Sequence, residues 1–175
     1  MNYRYLYFSL LILILINLSC VEDDSSNTSL NTANIEGLWI VSEINSIPTV
    51  DLESNGNTNA NLMNQTTCFD GMSLDFDANG NLTVVSSEIT FDSTATPSFS
   101  CELRTDTGTY VISGSDLTVT IPISGTQETQ TILVDVQSNT LTFSLTQNDI
   151  VEFFSVPEGE SFSAINELEF VYLKN

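Results

Sequence analysis

From Ile35 onward the chain alternates. Leu117, Val119, Ile121 and Ile123 fall on one face of an extended chain, with Thr118 and Thr120 between them. Leu141, Phe143 and Leu145 repeat the pattern, as do Ile132, Val134 and Val136, and then Leu168, Phe170 and Tyr172. A repeat of two belongs to a strand and not to a helix. One apolar face and one polar face is the signature of an antiparallel sheet, because parallel sheets are buried on both sides.

Turn signals stand between the alternating runs. Asp77-Ala78-Asn79-Gly80-Asn81 separates 72–76 from 82–85, and Asn79-Gly80 supplies residues that tolerate positive φ. Gly114-Ser115-Asp116, Gln137-Ser138-Asn139 and Asn148-Asp149 divide the later runs. The expected strands are 38–45, 71–76, 81–86, 88–92, 106–112, 116–123, 129–136, 139–146, 150–156 and 167–173. Short helices fit only near 59–67 and 163–167, and 46–67 reads as a long Asn-rich connection. The fold class is therefore all-β: an antiparallel up-and-down barrel of eight to ten strands, with a β-sandwich as the alternative.

Charge narrows the partners. The chain has 23 acidic and 3 basic residues, a net charge of −20, and no histidine. Every acidic residue follows Cys20, where only Arg104 and Lys174 remain as bases. Such a field repels phosphate backbones, so no nucleic-acid partner is expected. With 41% hydrophobic residues gathered in alternating runs, the charge serves solubility and does not indicate disorder.

The first 20 residues set an address. Arg4 is the only charge before Glu22, and 10–16 is apolar without a break. This is short of the ~20 apolar residues of a membrane span and reads as a secretory signal, with an uncleaved anchor as the alternative. Its end, Asn17-Leu18-Ser19-Cys20, resembles a bacterial lipobox, with Asn17 where that pattern has Leu. The resemblance implies a signal peptide over 1–19 and lipid on Cys20, and hence a membrane partner reached through that lipid. The cluster Glu22-Asp23-Asp24 is similar to the surface-export signals of some Gram-negative outer-membrane lipoproteins; a solvated tether is the other reading. Residues 20–34 form a polar tether and 35–175 one domain. The expected location is the outer membrane, extending to the cell surface.

Cys68 and Cys101 remain, an even pair in an oxidising compartment, which reads as a disulfide. Two free thiols are the alternative. Nothing else points to chemistry. Without histidine, Ser-His-Asp and Cys-His sites are excluded. Asp75-Phe76-Asp77-Ala78-Asn79-Gly80 begins like a calcium loop, but the twelfth position is Ser86 where a bidentate Glu is needed; it reads as a hairpin turn. Asp92-Ser93-Thr94 resembles a short bacterial O-glycosylation acceptor. No catalytic residue, metal or cofactor is expected, and the chain reads as a non-enzyme.

The segment Ile35-Glu36-Gly37-Leu38-Trp39-Ile40-Val41 resembles the opening strand of lipocalins, whose Gly-x-Trp element is matched by Gly37 and Trp39. The wider layout is similar to lipocalin-like domains of secreted bacterial lipoproteins, with a cysteine pair flanking the second and third strands and a closing Tyr-x-Lys-type strand, here Tyr172-Leu173-Lys174. The resemblance implies a barrel floor built from Gly37 and Trp39, with Lys174 over the ring where the family has Arg. It also implies a small, mostly apolar ligand held inside. Candidates to line that interior are Leu117, Ile121, Phe143, Leu145, Phe153 and Phe170, whose bulk predicts a modest cavity or none. The alternatives are an interaction or structural lipoprotein with a solid barrel, its protein partner unidentified, and a sandwich domain of adhesin-like or glycan-binding type.

Overall fold

A computed structural model describes residues 32–92, 99–123, 126–154 and 161–175. A single turn of helix, α1 (Thr32–Ile35), leads into ten strands: β1 (Gly37–Val50), β2 (Asn59–Asn61), β3 (Ser73–Phe76), β4 (Asn81–Phe91), β5 (Phe99–Ser113), β6 (Asp116–Ile123), β7 (Thr126–Leu133), β8 (Asp135–Gln137), β9 (Thr140–Thr146) and β10 (Glu167–Lys174). An eight-residue helix, α2 (Gln147–Phe154), and two short 3-10 turns, Leu62–Asn64 and Ser161–Ala164, complete the chain. Thr32–Asn34, read from sequence as part of the tether, belong to the helical turn that opens the domain.

The strands form one antiparallel sheet in the order β7-β6-β5-β4-β3-β1-β10-β9-β8, with β2 added to β1. Both ends of this path are pieces of one run of chain: only Val134 separates β7 from β8. The run pairs with β6 as far as Asp116↔Leu133 and with β9 from Asp135↔Thr142. Val134 is buried at the handover and donates its N–H to Ser115 O at 3.0 Å. The sheet is thus a curled half-barrel whose two edges are joined by the chain itself. Between β7 and the upper part of β9 there is no ladder.

Alternation decides what lies inside the curl. On β10, Leu168, Phe170 and Tyr172 are buried while Glu167 and Glu169 are exposed. Leu141 and Leu145 of β9 and Leu117 of β6 are buried in the same way. Each such side chain contributes about 1.5–3 kcal/mol through removal from water. On β1 the register with β10 shifts between Val41 and Glu43, and Ser42 Oγ donates to Val171 O at 3.1 Å. A bulge there bends the strand and increases its twist.

The expected strands 81–86 and 88–92 are one continuous strand, β4, paired without interruption to β5. Leu82 and Ser86 are buried on one face of this ribbon, and Ser87 on the other. Beyond that point the opposite face does the packing. Phe91 and Phe99 meet Phe162 edge-on, with ring centroids 5.7 and 5.6 Å apart. The Cys68–Cys101 disulfide straps this upper half of the ribbon to the connection before β3, with Cα atoms 5.6 Å apart. That connection is packed rather than loose: Leu52, Leu62 and Phe69 are buried, and Gln65 bonds to Leu52 N and Val50 O, each at 2.9 Å.

Over 150–154 the expected strand is replaced by α2, and 155 and 156 lie outside the described residues. Asp149 caps the helix start by reaching back to Thr146. Asp149 Oδ2 accepts from Thr146 N at 2.9 Å and from Thr146 Oγ1 at 2.6 Å, which satisfies an otherwise orphaned N–H at the helix start. The same two bonds hold the Asp149 carboxyl below its ordinary range. Ile150 of α2 is fully buried.

Candidate binding cavity

The Asn79-Gly80 turn between β3 and β4 closes one end of the curl. Asp77 Oδ1 accepts from Asn79 N and Asn81 N, both at 2.8 Å, and Asn81 Nδ2 donates to Asp77 Oδ2 at 2.7 Å. These bonds, led by those from Asn81, lower the Asp77 carboxyl below its usual value. Gly80 takes the positive φ of +82° the turn requires. Tyr110 bridges from β5, its hydroxyl donating to Asp77 O at 2.7 Å and its N–H to Gly80 O at 2.8 Å. The motif that begins like a calcium loop is therefore a hairpin turn, its acidic side chain engaged by the turn's own N–H groups.

At the same end, Gly37, Trp39 and Lys174 come together. Trp39 is fully buried and donates from Nε1 to Ile35 O at 2.6 Å. Lys174 Nζ lies 5.1 Å from the Trp39 ring centroid, within cation–π range. Gly37, at φ +111°, lets the lysine pass: a Cβ there would stand 3.2 Å from Lys174 Cε.

Above this floor the inner faces do not meet completely. A partly open cavity of about 140 Å³ lies among β3, β4, β6, β7, β9 and β10. Phe143, Phe170 and Tyr172 form an aromatic wall. Phe143 stacks on Phe170 with centroids 5.0 Å apart and on Tyr172 at 6.0 Å. Leu74, Leu82, Val84, Leu117, Val119, Ile132 and Leu145 supply aliphatic surface. Gln130 and Leu145 stand on the two sides of the unladdered gap between β7 and β9. Three lining side chains are polar: Ser86, Gln130 and Tyr172.

Of the residues expected to line an interior, Leu117, Phe143, Leu145 and Phe170 do so. Ile121 does not. It faces inward further along β6, and its Cγ1 lies 3.0 Å from where a Cβ on Gly108 would stand, so it fills against β5 instead. Phe153 lies in α2 and not on a strand, and its side chain is outside the described residues. Sequence reasoning missed the β3–β4 contribution and Tyr172. The alternation of 72–76 and 168–172 carried the signal, but it marks a buried face without saying whether that face meets a neighbour. Cys20, Ser93 and Thr94 lie outside the described residues. Among the described residues no group of three metal-binding side chains gathers.

Arg104 is the register partner of Ser86. It holds Asp106 at 2.7 Å and Glu88 at 3.6 Å, with its side chain 40% exposed. Exposed pairs of this kind contribute little to stability.

Residues 35–143 match the family model described as the lipocalin-like domain, more than half of the chain. No curated protein matches. Among solved structures, the chain is similar to a lipocalin-like protein from Bacteroides uniformis, at 13% identity and a TM-score of 0.39, covering 81% of this chain and 99% of that one. It is also similar to an uncharacterized protein from Bacteroides eggerthii, at 11% identity and a TM-score of 0.39, covering 80% and 98%.

Proposed function

This chain belongs to the lipocalin-like domain family, and from that premise we propose that it is a non-enzymatic binding module which holds one small, mostly apolar molecule inside the curled sheet. The observation that carries the reading is the partly open cavity of about 140 Å³ with an aromatic wall. Pockets for drug-sized ligands run to about 300–1,000 Å³, whereas a cavity of about 150 Å³ lined by aliphatic and aromatic side chains accepts benzene. The ligand is therefore of single-ring size. Fluorobenzene, followed by its fluorine resonance, is expected to bind the chain from Val21 onward saturably, about one per chain. Leu145→Trp, which fills the gap side of the cavity, is expected to weaken binding at least about tenfold while the fold persists. Absence of saturable binding would favour a solid barrel that acts through its surface.

The module is anchored by lipid on Cys20 and faces an extracytoplasmic space, at the outer membrane and its surface. Three features support this: the short apolar segment ending at Ser19-Cys20, the acidic tether that follows, and a disulfide of the kind kept in oxidising compartments. Two acyl chains give stable anchoring where one gives marginal binding. In membrane fractionation the parent chain is expected in the pellet and Cys20→Ala mostly in the soluble fraction. A variant that stays wholly with the membrane would overturn the anchor.

A further inference from the structure

Tyr172 is the one phenol on the cavity wall, and its hydroxyl is not used by the fold. The residue is 2% exposed on the inner face of β10, between the neighbouring inward positions and the stacked ring of Phe143. Among the described residues its hydroxyl makes no hydrogen bond, in contrast to Tyr110, whose hydroxyl donates to Asp77 O. Nor is it sealed in by packing: the side-chain polar atom that is both sealed and unpartnered among the described residues is Ser87 Oγ. Tyr172 is one of the residues that line the cavity.

A buried hydroxyl without a partner costs free energy that a bound acceptor returns. Apart from Ser86 and Gln130 the wall around it is hydrocarbon, and no lysine or arginine lines the cavity. A carboxylate or phosphate would lose its hydration without compensation, in a chain that already carries a net charge of −20.

Building on the binding reading above, we infer that the ligand is a neutral, single-ring-sized molecule with one hydrogen-bond acceptor, and that Tyr172 is the donor that orients it. The ring lies against Phe143 and Phe170, and its acceptor points along β10 to the phenol. Burial raises the Tyr172 hydroxyl well above the ordinary phenol range, so it keeps its proton and donates at any physiological pH.

The test uses the chain from Val21 onward and two probes of nearly equal shape, benzonitrile and phenylacetylene, each in competition with fluorobenzene. Benzonitrile carries a neutral acceptor, and phenylacetylene lacks one of comparable strength. Tyr172→Phe is expected to weaken benzonitrile about three- to tenfold, the scale of one neutral hydrogen bond, and to leave phenylacetylene unchanged. Benzoate is expected to compete with neither. Equal weakening of both probes would assign Tyr172 a packing role and overturn the inference. So would loss of benzonitrile on Ser86→Ala with none on Tyr172→Phe. If fluorobenzene binds but the two probes are not distinguished, the acceptor inference falls and the binding reading stands. If fluorobenzene itself fails to bind, both fall.

Discussion

Replacing Trp39 with alanine is expected to lower stability by about 3–5 kcal/mol, the range for removing a large aromatic side chain from a packed core. Trp39 is fully buried near the start of β1, where its indole reaches back to α1. Truncation leaves a void at the floor, removes the donor that satisfies Ile35 O, and strips Lys174 of the ring it covers. Trp39→Phe keeps an aromatic ring and loses the N–H donor, so a smaller loss of about 1–3 kcal/mol is expected, mainly from the unpaired Ile35 carbonyl. Trp39 is the single tryptophan, so urea unfolding is best followed by circular dichroism. A loss below about 1 kcal/mol for Trp39→Ala, at an unchanged m-value, would show that the floor does not depend on it. Trp39 does not line the cavity; residual folded Trp39→Ala protein should still take up fluorobenzene.

Opening the Cys68–Cys101 disulfide is expected to cost roughly 3–4 kcal/mol, from the chain-entropy estimate for a loop of 33 residues. The bond joins the connection before β3 to the upper half of the β4–β5 ribbon, opposite Ile89. Without it that part of the ribbon is held mainly by the edge contacts of Phe91 and Phe99 with Phe162. The loss should therefore be uneven. In the Cys68→Ser/Cys101→Ser double variant, amide exchange should rise most along 87–91 and 99–103 and least around Trp39, since local opening follows local packing. An unchanged unfolding midpoint on reduction, or two alkylatable thiols in the native exported protein, would contradict the strap.

The two departures from the local pattern share a cause. At 150–154 the apolar residues suggest a strand, but Asp149 reaching back to Thr146 just upstream starts a helix instead. At 86–92 a run of Ser86, Ser87 and Glu88 looks like a break between two strands. It is the place where one ribbon stops packing with one face and starts with the other, which needs no turn. In both cases the deciding interaction is a specific hydrogen bond or a distant packing partner, not the local period.

What the amino-acid sequence determined by itself is local: which residues of β6, β9 and β10 turn inward, where Gly80 must reverse the chain, and which two cysteines were left to pair. Side-chain alternation and positive φ are properties of a few neighbouring residues, so a few residues suffice to read them. The floor was also legible, because Gly37, Trp39 and Lys174 carry a family pattern. Whether the inward faces meet was decided only in three dimensions. The bulge at Ser42 bends β1, Gly108 lets Ile121 close in from β6, and Val134 passes the chain from pairing with β6 to pairing with β9, leaving no ladder between β7 and β9. Curvature accumulated over ten strands sets the distance between opposite walls, and no single strand encodes it. That distance leaves about 140 Å³ between Phe143, Leu117 and Tyr172, and on its wall a phenol whose hydroxyl has no partner among the described residues.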